Sequence, residues 1–316
     1  MRGPTAGTRK RLTVCGPATR WRQAFQIFRI SESWNAGGDR VDRIISVSSM
    51  AFDGYPLETA LDELAALGVR YVEPASVDKV FQHLVEEDFC DARAAWLRQE
   101  MVARRLACLS LSAHMDLTQP DSVDRFSRRL AFARAIGARI VNTIAGPTSG
   151  LAGFQANIAA IGGRAADLGL TLALENHGDL VNRGRQIVLL IQSIGIPAVR
   201  LNYDTGNAWY YAKGTLDPAE ELAEVVSVVA DVHLKDPRVD EGLLRWVALG
   251  EGSLNLKAVG GILRDRLPGV PVSVELSLRQ RSRNFESRWR APEVPTLPEI
   301  RGIIRRSLCA LSDALA

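Results

Sequence analysis

Glu175, Asp204, His233 and Glu275 are the side chains of this sequence best placed to do chemistry together. Each closes or follows a short apolar-alternating run: Leu-Thr-Leu-Ala-Leu-Glu175, Val-Arg-Leu-Asn-Tyr-Asp204, Asp-Val-His233 and Val-Pro-Val-Ser-Val-Glu275. Three carboxylates and one imidazole form an oxygen-rich set with a single nitrogen. Such a set suits one divalent ion, Mn2+ foremost, with Mg2+, Co2+ or Zn2+ as the other candidates. Set at the ends of successive parallel strands, the four would share the mouth of a β-barrel, where barrel enzymes keep their chemistry.

The strands that must position them have a consistent phase. Residues two apart on a strand share a face. Glu175 therefore lies with Thr171, Ala173 and His177, opposite Leu170, Leu172 and Leu174. Asp204 shares its face with Arg200 and Asn202, His233 with Asp231 and Lys235, and Glu275 with Ser273. In every case the bulky Leu and Val rows occupy the other face. A barrel strand buries its outer face under a helix, so these rows belong outside and the small or polar rows inside.

The whole chain supports that arrangement. Beyond residue 43, short apolar strands alternate with amphipathic stretches of helical length, the pattern of β/α units around a parallel sheet. Strands are expected near 44–49, 69–74, 107–114, 139–145, 170–176, 199–204, 230–235 and 270–276. Helices are expected near 57–67, 91–105, 121–136, 153–168, 184–194, 217–229, 254–265 and 297–314. Gly68, Gly137, Gly169 and Gly195 follow helical runs as C-terminal glycines do, and Asp217-Pro218 offers a cap followed by a first-turn proline. The expected fold class is α/β, a single (β/α)8 TIM barrel over 44–316 with a basic N-terminal extension over 1–43. A doubly wound sheet fits less well, because Ser46–Gly54 supplies no Gly-rich phosphate loop. The connections 74–90, 236–253 and 277–296 are long and would lie over the mouth, as functional lids do.

Length and composition fit one large soluble domain: 316 residues, 47% hydrophobic, and no uninterrupted apolar run of membrane-spanning length. The net charge of +3 is unevenly spread. Residues 1–43 hold nine Arg or Lys against three acids, a balance of +6, which leaves −3 for the rest. The acidic body offers no nucleic-acid footprint. The basic segment reads as a poorly ordered extension, with a transit peptide or a partner-binding arm as the alternatives. Cys15, Cys90, Cys108 and Cys309 form no C-x-x-C pair, which points to a reducing, cytoplasmic setting.

Glu175-Asn-His177, Asp204-Thr-Gly-Asn207, His233-Leu-Lys235-Asp236, Gly250-Glu251-Gly252 and Glu275 together resemble the xylose-isomerase-like TIM-barrel superfamily of sugar phosphate isomerases and epimerases. The resemblance runs from about residue 44 to the C-terminus. It implies that Glu175, Asp204, His233 and Glu275 bind a catalytic metal and that Glu175 and Glu275 also move protons. It further implies that His114 and Glu73 line the pocket. Endonuclease IV, in the same superfamily, holds three metals through added histidines; here the first such position is Asn207, and no Asp-x-His follows His233. One metal is expected, and a DNA-repair role is the least favoured reading.

The expected activity is a divalent-metal-dependent isomerase or epimerase of a sugar or polyol, working by proton abstraction and a metal-stabilised enediolate. The alternative is a lyase of the same superfamily: an inosose-type dehydratase, or a C-glycoside deglycosidase α subunit acting on a 3-keto-glycoside with a small β subunit. Expected partners are a small carbohydrate substrate and either a homo-oligomer or a small accessory subunit, with no nucleic acid and no membrane. His177 is assigned a catalytic role as base or hydroxyl binder, with a hydrogen bond to a neighbouring loop as the alternative. Lys235 is assigned to substrate oxygens, or else to pairing with Asp236 or Glu251. Asn207 joins the substrate-binding set, with a capping role as its alternative, and Trp209 is expected to shape the pocket with it. His83 is read as a surface residue. Arg279, Arg281, Arg283, Arg288 and Arg290 form a cluster that suits a phosphate or carboxylate, or equally a solvated loop.

Overall fold

A computed structural model describes residues 32–34, 40–178, 180, 181 and 183–316. Its centre is a curled parallel sheet: β1 (Ile45–Ser48), β2 (Tyr71–Glu73), β3 (Ser110–His114), β4 (Ile140–Thr143), β5 (Thr171–Glu175), β6 (Val199–Asp204), β7 (Val229–Leu234) and β8 (Val272–Val274). Neighbours follow chain order, and β8 lies beside β1. Closure runs through β2. Its Val72 N–H donates to Ala107 O, and the short strand Ala75–Val77 carries its direction past Pro74 to pair in parallel with β3. Each strand leads to a helix: α1 (Leu57–Ala66), α2 (Asp91–Ala103), α3 (Ser122–Ile136), α4 (Leu151–Asp167), α5 (Gly184–Ile194), α6 (Thr205–Tyr211) with α7 (Pro218–Val225), α8 (Leu256–Arg266) and α9 (Leu297–Leu315). This is the TIM barrel expected from the sequence.

The phase of the strands is the one expected. Val47, Val72, Leu111, Val141, Leu172, Leu174, Leu201, Val232, Leu234, Val272 and Val274 are fully buried in the layer shared with the helices. Burial of each such side chain contributes about 1.5–3 kcal/mol. The inward rows are small or polar: Ser46, Ser110, Ser112, Asn142, Ala173, Asn202, Asp231 and Ser273, all buried. Barrels usually fill this space with branched aliphatics. Here it is filled by a hydrogen-bonded polar network that leads up to the mouth. Local signals also hold: Gly137 and Gly195 close α3 and α5 in left-handed conformations, and Asp217 caps α7 by accepting from the Ala219 N–H.

The expectation for 1–43 falls mainly outside the described residues. Within them, Glu32–Trp34 pairs antiparallel with Arg40–Asp42. Arg43, the last residue of that segment, is buried and donates to the carbonyls of Leu263, Leu267 and Val270, closing the C-terminal end of α8.

The three long connections differ from the lids expected of them. Residues from the second and third form one antiparallel four-stranded sheet, Asp236–Asp240, Leu243–Val247, Gln280–Arg283 and Arg288–Arg290. Trp209 and Tyr210 of α6 pack with Leu244 and Trp246 of this sheet and anchor it over the barrel. The first connection is pinned by fully buried Arg129, 2.7 Å from both Asp78 and Glu86 and also bonded to the carbonyls of Ala113 and His114. His83 is half-buried, with its ring nitrogens 2.9 Å from Ser49 Oγ and 3.0 Å from Tyr55 O, so the surface reading is corrected. Arg129→Met would remove the fully buried partner of Asp78 and Glu86, which keep Arg125 and, for Glu86, Arg128, and would take a donor from two carbonyls. The expected cost is about 2 kcal/mol of stability, measured by denaturant unfolding, with faster amide exchange across 74–90. An unchanged midpoint would show that the network does not hold the loop.

Candidate metal centre

Strand register brings the four expected ligands to one level. Asn202 pairs with Glu175 across β6 and β5, while Asp204 pairs with His233 across β6 and β7. A register shift between Leu201 and Asn202 sets that second pairing. Ser273 pairs with His233, and the Glu275 N–H then donates to Leu234 O at 3.1 Å, which holds Glu275 one pleat higher. One donor atom from each of Glu175, Asp204, His233 and Glu275 lies within 4.8 Å of all the others, and all four residues are buried. His233 Nδ1 is 2.5 Å from Glu275 Oε2, 3.2 Å from Glu175 Oε2 and 4.0 Å from Asp204 Oδ2.

Three of these converging atoms, His233 Nδ1, Asp204 Oδ2 and Glu275 Oε2, are buried and meet only ion-pair partners from the cluster itself, His233 with Glu275 and Lys235 with Asp204. Buried polar atoms are normally partnered, and here the partners come from within one converging set of three carboxylates and an imidazole. A divalent cation fits that donor set. The carboxylates are well held for such a role. Glu175 accepts from Asn202 Nδ2 at 2.9 Å and from Asn207 Nδ2 at 2.7 Å, and Asp204 Oδ1 accepts the Asn207 N–H at 2.7 Å as the cap of α6. His114 Nε2 is 3.1 Å from Glu175 Oε2. Lys235 Nζ lies 2.9 Å from Asp204 and 3.1 Å from Glu275.

Charge follows from this geometry. Burial works against the ionised carboxyl of Glu275, yet the Lys235 ammonium and His233 pull it down to about 2. Glu175 is likewise held well below the carboxylate range by His114 and His233 against the effect of burial. Burial raises Asp204 to about 6, with Lys235 opposing and the other two carboxylates adding to the rise. His233 is pushed well above an ordinary imidazole: burial opposes its charge, but Glu73, Glu275 and Glu175 outweigh burial. With no cation present, His233 therefore carries a proton.

The other expected site residues fall into place with some revisions. Lys235 pairs with neither Asp236 nor Glu251. The Asp236 carboxylate accepts the N–H groups of Gly250, Gly252 and Leu254, and Glu251 meets Arg306. That gives Gly250-Glu251-Gly252 a physical reason: a side chain at position 252 would strike Asp236 and Pro237 O. Glu73 does not stand at the pocket wall. It is fully buried on the far side of the His233 ring, with Oε1 3.1 Å from Nε2. Below the ring, Asn142 Nδ2 donates to Glu73 at 3.2 Å and to Asp231 at 3.0 Å. A carboxylate on the second nitrogen of a ligating histidine fixes its tautomer and orientation. His177 is half-buried above Glu175. Its Nε2 accepts from Arg288 at 3.2 Å, and its ring meets Tyr211 edge-on. Burial and the adjacent Arg288 lower its pKa to about 3, so it is neutral.

Asn142, Asp231, Asn202 and Arg288 were not singled out from the sequence. Asn202 and Asp231 were visible through phase, because each lies two residues before a ligand on the same face. Asn142 had no such neighbour, and Arg288 was one of five arginines in a loop.

A closed eight-stranded β/α barrel with a buried, carboxylate-rich cluster at its C-terminal mouth defines the class. The chain belongs to the family described as xylose isomerase-like TIM barrel, whose profile matches residues 61–295. No curated protein matches the chain in sequence. Solved structures match it in fold. A xylose isomerase-like TIM-barrel protein from Mycobacterium smegmatis in complex with magnesium is 18% identical, with a TM-score of 0.64 over 87% of this chain and 98% of that one. D-psicose 3-epimerase in the presence of D-fructose is 16% identical, with a TM-score of 0.65 over 86% and 99%. The probable 3-DHS dehydratase AsbF from Bacillus anthracis is 14% identical, with a TM-score of 0.63 over 85% and 98%. No helix among the described residues is long and apolar enough to cross a membrane.

Proposed function

We propose that this protein is a divalent-metal-dependent isomerase or epimerase acting on a sugar or polyol, with Mn2+ as the working ion. The observation that carries the reading is the convergence of Glu175, Asp204, His233 and Glu275 on one buried point. A divalent cation there would draw charge from two neighbouring oxygens of a hydroxy-ketone and ease proton loss from the carbon between them.

The residues of the chain do the rest. Glu175 is fixed in one orientation by the amides of Asn202 and Asn207, and Glu275 is kept ionised by Lys235. One carboxylate takes the proton, and a group on the opposite face returns it. Return to the same carbon inverts it; return to the neighbouring carbon moves the carbonyl. Lys235 and His114 hold the carboxylates and border the substrate, and neutral His177 binds a substrate hydroxyl. The fold neighbours named for an epimerase and a dehydratase accord with carbonyl-adjacent proton chemistry.

The test is a screen of Mn2+-supplemented protein against ketoses, inososes and 3-keto-glycosides, with products identified by NMR. Epimerised or isomerised ketose is the expected result. Products of water loss or glycoside cleavage alone would replace this reading with the lyase one.

A further inference from the structure

The arginine-rich connection after β8 is not one cluster. Arg279 and Arg290 share the carboxylate of Asp53. Arg281 donates to the carbonyls of Leu278 and Gln280, and Arg283 is exposed. Arg288 alone reaches the mouth of the metal centre. Its guanidinium lies 4.0 Å from the centroid of the Tyr210 ring and 5.3 Å from that of Tyr211. One nitrogen donates to His177 Nε2 and another to Asn207 Oδ1, each at 3.2 Å. Asn207 in turn donates to the ligand Glu175. Arg288 is thus one side chain away from the metal position, oriented by two rings and two hydrogen bonds.

Among the described residues, no carboxylate is in ion-pair range of Arg288. Two hydrogen bonds leave three of the five guanidinium N–H donors unassigned. A half-buried planar fork with open donors, unpaired with any carboxylate among the described residues, suits an oxyanion.

We propose that Arg288 forms an anion subsite, so that the substrate of the centre carries a carboxylate or phosphate beside its reacting polyol carbons rather than being a neutral sugar. This rests on the metal-dependent reading above and narrows it to acidic or phosphorylated sugars. His177 and Asn207 then serve as the frame that aims the fork.

The test uses three unreactive polyols on Mn2+-loaded protein: sorbitol, gluconate and sorbitol 6-phosphate, titrated by calorimetry. At least one of the anions is expected to bind about tenfold or more tightly than sorbitol, and the better one identifies the carboxylate or phosphate. Arg288→Gln should reduce that preference to near unity while leaving Mn2+ and sorbitol affinities in place, which also shows that the variant is folded. Arg288→Lys should keep part of it, since the charge remains and the fork is lost. Equal binding of the three polyols, no binding of either anion, or a preference that survives in Arg288→Gln would overturn the subsite. Failure of the wild-type protein to take up Mn2+ is a different result: it would overturn the metal-dependent reading, and this inference with it.

Discussion

Glu275→Gln is expected to lower turnover by about 10³-fold at saturating Mn2+. The substitution keeps the shape of the side chain and removes its charge. Glu275 Oε2 faces His233 Nδ1 at 2.5 Å and Oε1 faces the Lys235 ammonium at 3.1 Å, so the carboxylate is the anion both groups need. An amide could satisfy at most one of them and would no longer accept a proton. Cation affinity should fall as well, because one of three ligand carboxylates is gone. The two effects separate when Mn2+ is raised: a purely structural ligand would be rescued by excess ion, whereas a proton-transfer group would not. Near-normal turnover in Glu275→Gln would remove it from the chemistry. Circular dichroism on the same samples checks that the barrel is intact.

Glu73→Gln should act differently. Glu73 is buried behind His233 and, of that ring's two nitrogens, meets the one that faces away from the ligand set. Replacing its carboxylate should weaken cation binding by about 10–100-fold, with turnover largely restored once the ion is saturating. The sequence-based expectation that Glu73 borders the substrate makes the opposite forecast, a raised KM with unchanged cation affinity. A cation titration beside a substrate titration on this one variant decides between them.

That contrast shows where the sequence stops being legible. Phase put Asp231 and the four ligands on inward faces, because alternation of Leu and Val rows is a local property; Glu73 entered only through the family resemblance. Depth along the barrel axis is not local. It depends on the register between strands far apart in sequence, including the shift at Leu201 and Asn202 and the break of β2 at Pro74. The ligands could be recognised because they end their strands. Glu73 also ends its strand, yet it lies below the ring of His233. The antiparallel sheet over the mouth was hidden for a related reason. Its pairing of Leu243 with Arg283 spans the whole of α8 and β8, and its Arg-rich strands read as solvated loop. The seven-residue α6 was too short to show a period, although Asp204 caps it through Asn207. The sequence offers Lys235 substrate oxygens or the nearby Asp236 and Glu251; the fold gives it Asp204 and Glu275, which converge from other strands.

The central claim is that one divalent ion belongs between Glu175, Asp204, His233 and Glu275. In the cation-free state His233 holds a proton, and Asp204 titrates near 6. Both must be deprotonated to act as ligands, so binding should release protons and should weaken as pH falls, through His233 already across the neutral range and through Asp204 further below 6. The most direct measurement is a calorimetric Mn2+ titration of metal-stripped protein, repeated in two buffers of different ionisation enthalpy. The expected result is about one ion per chain with net proton release. No uptake, or full uptake by a His233→Ala variant, would contradict it.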